Sequence, residues 1–347
     1  MKILCLYSPG GSSGVRNGWR KCFQAAGHTF VFWDKSQKSA FDVFSEEEPD
    51  IFIGTTYDLD RATLKCFKSR PNLKVALFCS AYGDLTKEID RAKFPIDIAT
   101  EAELNLVKQL KDETGKPDFV FLHCVPSQKD RVIGGWGTLG IKTVSVLNAC
   151  DTFEYLGGEF KGELTCDCSI VGGRWPYKSR NLDPFLMSLC NKYDFKVFGY
   201  GGWENYHNYL GQLDLGWEKH LFKSTKVCLS ISEPHSTTYG YDLIERPFKV
   251  MGNGSFCLSD WVEGFNEVLG VGTLEMALTP AEYEWKLRFY LKNEDKRVEK
   301  AKIGQEKVLS GHTYWHRIAQ MFTEFGLPEE AEKTNAMWRN LQKEVHS

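Results

Sequence analysis

Short apolar runs that end in glycine or a charged turn alternate with amphipathic segments along most of this chain. That alternation restricts the fold more than any other feature. Residues 1–33, MKILCLYSPGGSSGVRNGWRKCFQAAGHTFVFW, read as strand, glycine-rich loop, helix and second strand. Trp19, Cys22, Phe23 and Ala26 share one face of a helix over 15–26, and Gly27 stands at its expected C-cap. Further apolar runs of strand length lie at 49–56, 74–82, 96–100, 118–125 and 142–148, with a helical pattern at 101–115. The pattern pauses at 151–164 and then resumes. Strands are expected at 166–173, 195–201, 226–232 and 255–260, and helices at 181–193, 217–225, 241–254 and 280–310. Strands alternating with helices predict parallel, doubly wound sheets. The expected organisation is α/β: two Rossmann-like domains, 1–160 and 161–318, facing each other across a cleft, with a helical extension 319–347 packing back on the body. Such sheets bind ligands outside the carboxyl ends of their strands.

Hydrophobic residues make up 42% of the 347 and charged residues 26%, enough apolar material for sizeable cores and too much for a disordered chain. A net charge of −3 excludes bulk electrostatic attraction to nucleic acid or anionic membrane, and leaves a local basic groove open. No apolar run approaches the roughly 20 residues of a membrane span. The first apolar run is broken by Pro9, Gly10 and Gly11, unlike a secretory signal. The 11 cysteines, spread through apolar runs, read as reduced buried thiols of a cytoplasmic protein. Cys166 and Cys168 lack the second pair that a zinc site needs. Aromatic residues reach 14%, core rings for the most part, with some available as stacking platforms.

The loop after the first strand, SPGGSSG, could cradle a phosphate with Gly10 and Gly11, yet it is neither a Walker loop nor GxGxxG. That disfavours a Rossmann-type oxidoreductase. A stronger signal follows residue 166: Gly172 and Gly173 close a strand, and Arg174, Lys178 and Arg180 precede a helix, a pattern suited to a diphosphate. Gly199, Gly201 and Gly202 around Tyr200 permit close backbone approach to a flat group, with Tyr200 and Trp203 offering rings. His28 and His312 read as packing residues, whereas His123 and His235 lie at strand ends.

Five segments together carry a family resemblance: D-x-S-x-V-G at Asp167–Gly172, G-x-G-G-W at 199–203, K-V-x-L-S-I at 226–231, R-P-F-K-V-M-G-x-G-x-F-x-L-S-D at 246–260 and G-H-T-Y-x-x-R at 311–317. The set resembles the CgeB-like (spore maturation) glycosyltransferases of the GT-B fold, closely over the C-terminal half and in outline over the N-terminal half. The resemblance implies transfer of a sugar from a nucleoside diphosphate sugar, a UDP-sugar being favoured, to a hydroxyl acceptor, with no metal or other cofactor. It places the donor on the C-terminal domain, against Gly172, Gly173, Gly199, Tyr200, Gly201, Gly202, Glu233 and Tyr239. Arg174, Lys178, Arg180 and above all Arg246 would absorb the charge of the leaving diphosphate. Lys249 stands where the family usually carries a ribose-binding Glu, so Glu245 or Glu233 is the expected replacement. Asp84 or Asp151 would serve as base if the enzyme inverts. N-terminal loops bearing Arg16, Lys129, Arg131, Trp19 and Tyr82 would meet an acceptor that is a small molecule, glycan or protein, or hydroxymethylated cytosine in DNA as for phage enzymes. A non-catalytic nucleotide-sugar-binding module is the competing class.

Overall fold

A computed structural model describes residues 1–7, 13–214 and 216–346. Gly10 and Gly11 lie outside the described residues. The chain divides into two compact units, Met1–Leu147 with Tyr314–Ser347, and Asn148–Thr313. The segment 148–160, expected to close the first domain, packs with the second.

In the first unit, β1 (Lys2–Leu6), β2 (Thr29–Trp33), β3 (Ile51–Thr55), β4 (Lys74–Phe78), β5 (Phe119–Leu122) and β6 (Thr143–Ser145) form one sheet of order β2-β1-β3-β4-β5-β6. All its pairings are parallel. In the second unit, β7 (Cys166–Val171), β8 (Phe195–Phe198), β9 (Thr225–Ser230), β10 (Cys257–Asp260) and β11 (Glu275–Ala277) form a parallel sheet of order β11-β10-β9-β7-β8. The expectation of two doubly wound α/β sheets therefore holds. Four element readings need correction. The helix read at 181–193 runs from Pro176 to Leu186, so Lys178 and Arg180 lie within it and do not precede it. Residues 96–100 are not a strand and make a single bridge, Ala81 to Ile98. The helix read at 280–310 is two, Pro280–Lys292 and Glu294–Gly311, parted at Asn293, whose ψ of 79° leaves the helical region. The helix read at 241–254 is confined to Arg246–Gly252.

Helix ends follow local chemistry. Thr100 and Glu103 form a reciprocal capping box at the start of Glu101–Thr114, and Gly115 closes that helix at φ 70°. The second core gathers Ile170, Leu182, Val197, Leu229 and Leu258 under Trp203, Tyr206 and Tyr283. All 11 cysteines are free; ten are buried and Cys190 is half-buried. No helix among the described residues is long and apolar enough to cross a membrane.

The last two helices, Tyr314–Glu324 and Pro328–His346, complete the first unit. Phe322 meets Phe23 edge-on at 5.4 Å, and Arg317 Nε donates to the carbonyl of Leu147 at 3.0 Å. Tyr314 lies so close over Gly18 that a Cβ there would stand 2.3 Å from its ring. Gly18→Ala should therefore cost about 1–3 kcal/mol by overpacking, read as a lower urea midpoint, while an Ala at the open Gly137 should not.

Candidate functional site

From β7 the second sheet proceeds to β8 on one side and to β9 on the other. The carboxyl ends of β7 and β9 consequently flank a topological switch point, where loops part and a ligand can enter. Gly172 and Gly173 follow β7, Ser232 and Glu233 follow β9 by one residue, and Asp260 ends β10. The helix Pro176–Leu186 starts here with Trp175 at its N-cap. No side chain caps it, so its first-turn N–H groups face outward from a positive dipole end.

Two cations converge on this end. Arg246 opens the helix Arg246–Gly252, with Pro247 in its first turn, and its Nε donates to Val171 O at 2.9 Å. Gly172, at φ 145°, makes room for it: a Cβ would sit 2.5 Å from Nη2. The Nη1 of Arg246 is shut off from solvent and has no hydrogen-bond partner among the described residues. Lys178 is 6% exposed, and its Nζ lies 4.8 Å from the centre of the Trp175 ring. Burial, then the neighbouring Arg246 charge, push its ammonium from 10.5 down to about 7, against the opposing pull of Glu233 and Asp260. Glu233 moves the other way, upward, because burial outweighs its attraction to Lys178. Asp260 is also raised by burial, although it accepts from the backbone N–H and hydroxyl of Ser232, each at 3.0 Å, and from Asn181 Nδ2 at 2.8 Å. That network pins the end of β9 to β10 and to the helix. A bound anion would satisfy the Nη1 donor and keep Lys178 protonated.

The other predicted residues sort by their partners. Arg174 forms a bidentate pair with Asp183 at 2.9 and 2.6 Å and donates to Gly202 O, clamping the glycine turn to the helix. Its guanidinium is committed to that clamp. Gly199 is required by chain against chain: at φ 142°, its Cβ would fall 1.8 Å from Gly172 O. Trp203 Nε1 donates to that same oxygen at 2.9 Å. Gly201 and Gly202, at φ 65° and 69°, complete the reversal. The exposed rings of Tyr200 and Trp175 flank Gly173, within 2.8 and 3.0 Å of where its Cβ would be. Arg180 is exposed and lies 5.8 Å over the Tyr177 ring. Tyr239 is half-buried at the end of the helix Pro234–Tyr239. Glu245 and Lys249 pair with each other at 2.8 Å. Burial alone would lower Lys249, but Glu245, Tyr155 and Glu218 outweigh it and hold the ammonium charged.

Both carboxylates expected to serve as base have partners in the fold. Asp84 is 81% exposed in its side chain and paired with Lys87 at 2.8 Å, which lowers its pKa further from that of a base. Asp151 belongs to the second unit, where it caps the helix Thr152–Tyr155 by accepting from Phe153 and Glu154 N–H. His123 Nδ1 meets Val146 O at 2.5 Å among the rings of Trp19, Phe78 and Phe121. His28 lies between the chain's amino group and Glu330. Sequence reading missed a relay beside the site: the Tyr177 hydroxyl meets His235 Nδ1 at 2.9 Å, and His235 Nε2 meets Asp242 at 3.1 Å. Its members lie up to 65 positions apart in sequence, so spacing carries no signal of it. It also missed Asn181, a polar residue within the helix Pro176–Leu186, and Ser232 and Asp260, legible only as polar residues at strand ends.

Residues 163–323 match a family described as glycosyl transferase-like. No curated protein sequence matches the chain. Among solved structures, sucrose-phosphate synthase from Thermosynechococcus elongatus is similar at TM-score 0.62 and 10% identity, over 93% of this chain and 98% of that one. An α-glucosyltransferase in complex with UDP-glucose and DNA containing an abasic site is similar at TM-score 0.60 and 10% identity, over 94% and 99%. Anabaena HepE in complex with UDP and glucose follows at TM-score 0.56 and 12% identity, over 94% and 99%. The fold is that of the GT-B glycosyltransferases.

The Lys178 shift has a stability consequence of definite sign. Between about 7 and 10.5 the unfolded chain holds this proton and the ligand-free fold does not. The destabilisation by Lys178 is thus fully present below about pH 7 and fades as pH rises towards 10.5. Lys178→Met should be more stable than wild type in urea at pH 7, with the gap narrowing by about pH 9.5. A gap that is constant with pH would show Lys178 to be charged throughout.

Proposed function

We propose that the chain is a glycosyltransferase that moves a sugar from a nucleoside diphosphate sugar, a UDP-sugar in the first instance, to a hydroxyl acceptor. The observation that carries this reading is the buried, unpartnered Nη1 of Arg246 beside Lys178 at a switch point and an uncapped helix start. Glycosyl transfer builds negative charge on the departing diphosphate, and fixed cations and helix N–H groups stabilise that charge best where water is excluded. Arg246 and Lys178 are the residues assigned to it, with Tyr200 and Trp175 as faces for the nucleobase. In this reading the cations do the work of charge neutralisation, and turnover survives EDTA. The motifs at 167–172, 199–203 and 246–260 support a likeness of the second unit to the CgeB-like glycosyltransferases.

Arg246→Ala should lower turnover of UDP-glucose about 100-fold, the scale of losing one contact made to developing charge. Arg246→Lys should recover part of that loss, and the urea midpoint should move little in either. Full activity in Arg246→Ala removes the residue from the site. A chain that binds UDP-glucose, as seen by thermal shift, yet neither transfers nor hydrolyses it is a binding module.

A second reading, DNA with hydroxymethylated bases as acceptor, is favoured by the structural neighbour that carries UDP-glucose and DNA. The cations expected to meet such an acceptor are otherwise engaged. Arg16 is buried and donates to Leu6 O at 2.7 Å, Arg131 pairs with Glu88 at 2.6 Å, and Lys129 with Asp130 at 3.3 Å. We therefore favour an acceptor other than DNA. Sugar transfer to hydroxymethylcytosine DNA, assayed at about 50 and 200 mM salt, should be negligible at both; robust transfer that falls steeply with salt overturns the preference.

A further inference from the structure

The first unit contains a cavity of about 670 Å³ at the carboxyl ends of β3 and β4, a volume in the range of small-molecule sites. Thr56 and Tyr57 line it beyond β3, Ser80 beyond β4, and Arg91, Asp97 and Glu103 complete its polar lining, with apolar side chains between them. Glu103 is 7% exposed and rigidly held. Its carboxylate accepts from the Thr56 hydroxyl and from Ser80 Oγ at 3.2 Å, within the capping box that starts Glu101–Thr114. No lysine or arginine among the described residues lies within ion-pair distance of it. Asp97 and Arg91 are exposed at the rim, and neither side chain has a hydrogen-bond or ion-pair partner among the described residues. The segment that carries Asp97 is nonetheless fixed: Ala81 N–H donates to Asp97 O at 2.9 Å and Ala99 N–H to Ala81 O at 3.0 Å. Tyr57, 48% exposed, offers a ring face beside these groups.

This lining selects by chemistry. A carboxylate accepts hydrogen bonds from hydroxyls and repels phosphate, and here two carboxylates oppose one guanidinium. Apolar walls and the Tyr57 ring suit the C–H faces of a ring whose edges carry hydroxyls. We propose that the cavity binds a compact, uncharged, polyhydroxylated molecule of mono- to disaccharide size, held through Asp97 and Glu103. Identifying that molecule as the sugar acceptor rests on the glycosyl-transfer reading; the binding itself does not.

The test titrates the donor-free protein with D-glucose, D-galactose, myo-inositol and sucrose by calorimetry. At least one should bind saturably, and Asp97→Asn should weaken it about 10-fold, the scale of losing a hydrogen bond to a charged group. The Asp97 side chain has no hydrogen-bond or ion-pair partner among the described residues, so its variant should keep the wild-type urea midpoint. Glu103→Gln should weaken binding as well, provided that its circular dichroism is unchanged. The absence of saturable binding by all four compounds, or equal affinity in Asp97→Asn, overturns the proposal. UDP-glucose binding, measured in parallel, separates the two readings. Donor binding without polyol binding removes the cavity and keeps the donor site, and polyol binding without donor binding does the reverse.

Discussion

Two basic groups held out of water at the ends of β7 and β9, the Arg246 guanidinium and the Lys178 amine, dominate the design of the second unit. Burying an ammonium or guanidinium costs several kcal/mol unless opposite charge and hydrogen bonds offset it. Here the offset is incomplete. Arg246 has Val171 O for its Nε and, among the described residues, no partner for its Nη1, and Lys178 has the face of Trp175 and the fields of Glu233 and Asp260. Gly172 without a side chain, the uncapped helix after Trp175 and the Asp260–Ser232–Asn181 network all hold this unfavourable arrangement in place. Natural folds tolerate such local expense where a ligand relieves it.

The remaining charges nearby are matched internally. Arg174 is taken by Asp183, Lys249 by Glu245 and His235 by Asp242. Each pair secures a loop or a helix that frames the two poorly offset cations. In the sequence Arg174, Lys178 and Arg180 look alike, and so do Glu233 and Glu245. What separates them is the company each keeps after folding.

Much of the architecture was legible because a buried parallel strand needs an apolar run and its turn needs glycine, and both signals are local. The exceptions have physical causes. The run IDIAT at 96–100 has the composition of a strand, but both edges of β4 are occupied by β3 and β5, so it reaches only Ala81 beyond the end of that strand. β11 has three residues and opens on the charged Glu275, which breaks the apolar run there. Within the site, Arg246 and Lys178 could be named from cations beside glycine-ended strands. Asp151 shows the limit: an aspartate after a strand is equally the residue that caps the next helix, and its two N–H partners reveal which. Arg174 and Lys178 look alike in sequence, and a carboxylate at 183 decides their different fates.

The second unit is an insertion into the first, because the chain leaves at Leu147 and returns at Tyr314. A ribosome that has released residue 313 has finished every strand of both sheets, yet the first-made unit still lacks the side chains that cover Gly18 and Phe23. Domains assembled from contiguous chain can close as they emerge. Here the unit made second is free to close before the unit made first. The order of synthesis and the order of completion are reversed, and one face of the helix over 13–25 stays uncovered until the last helices arrive.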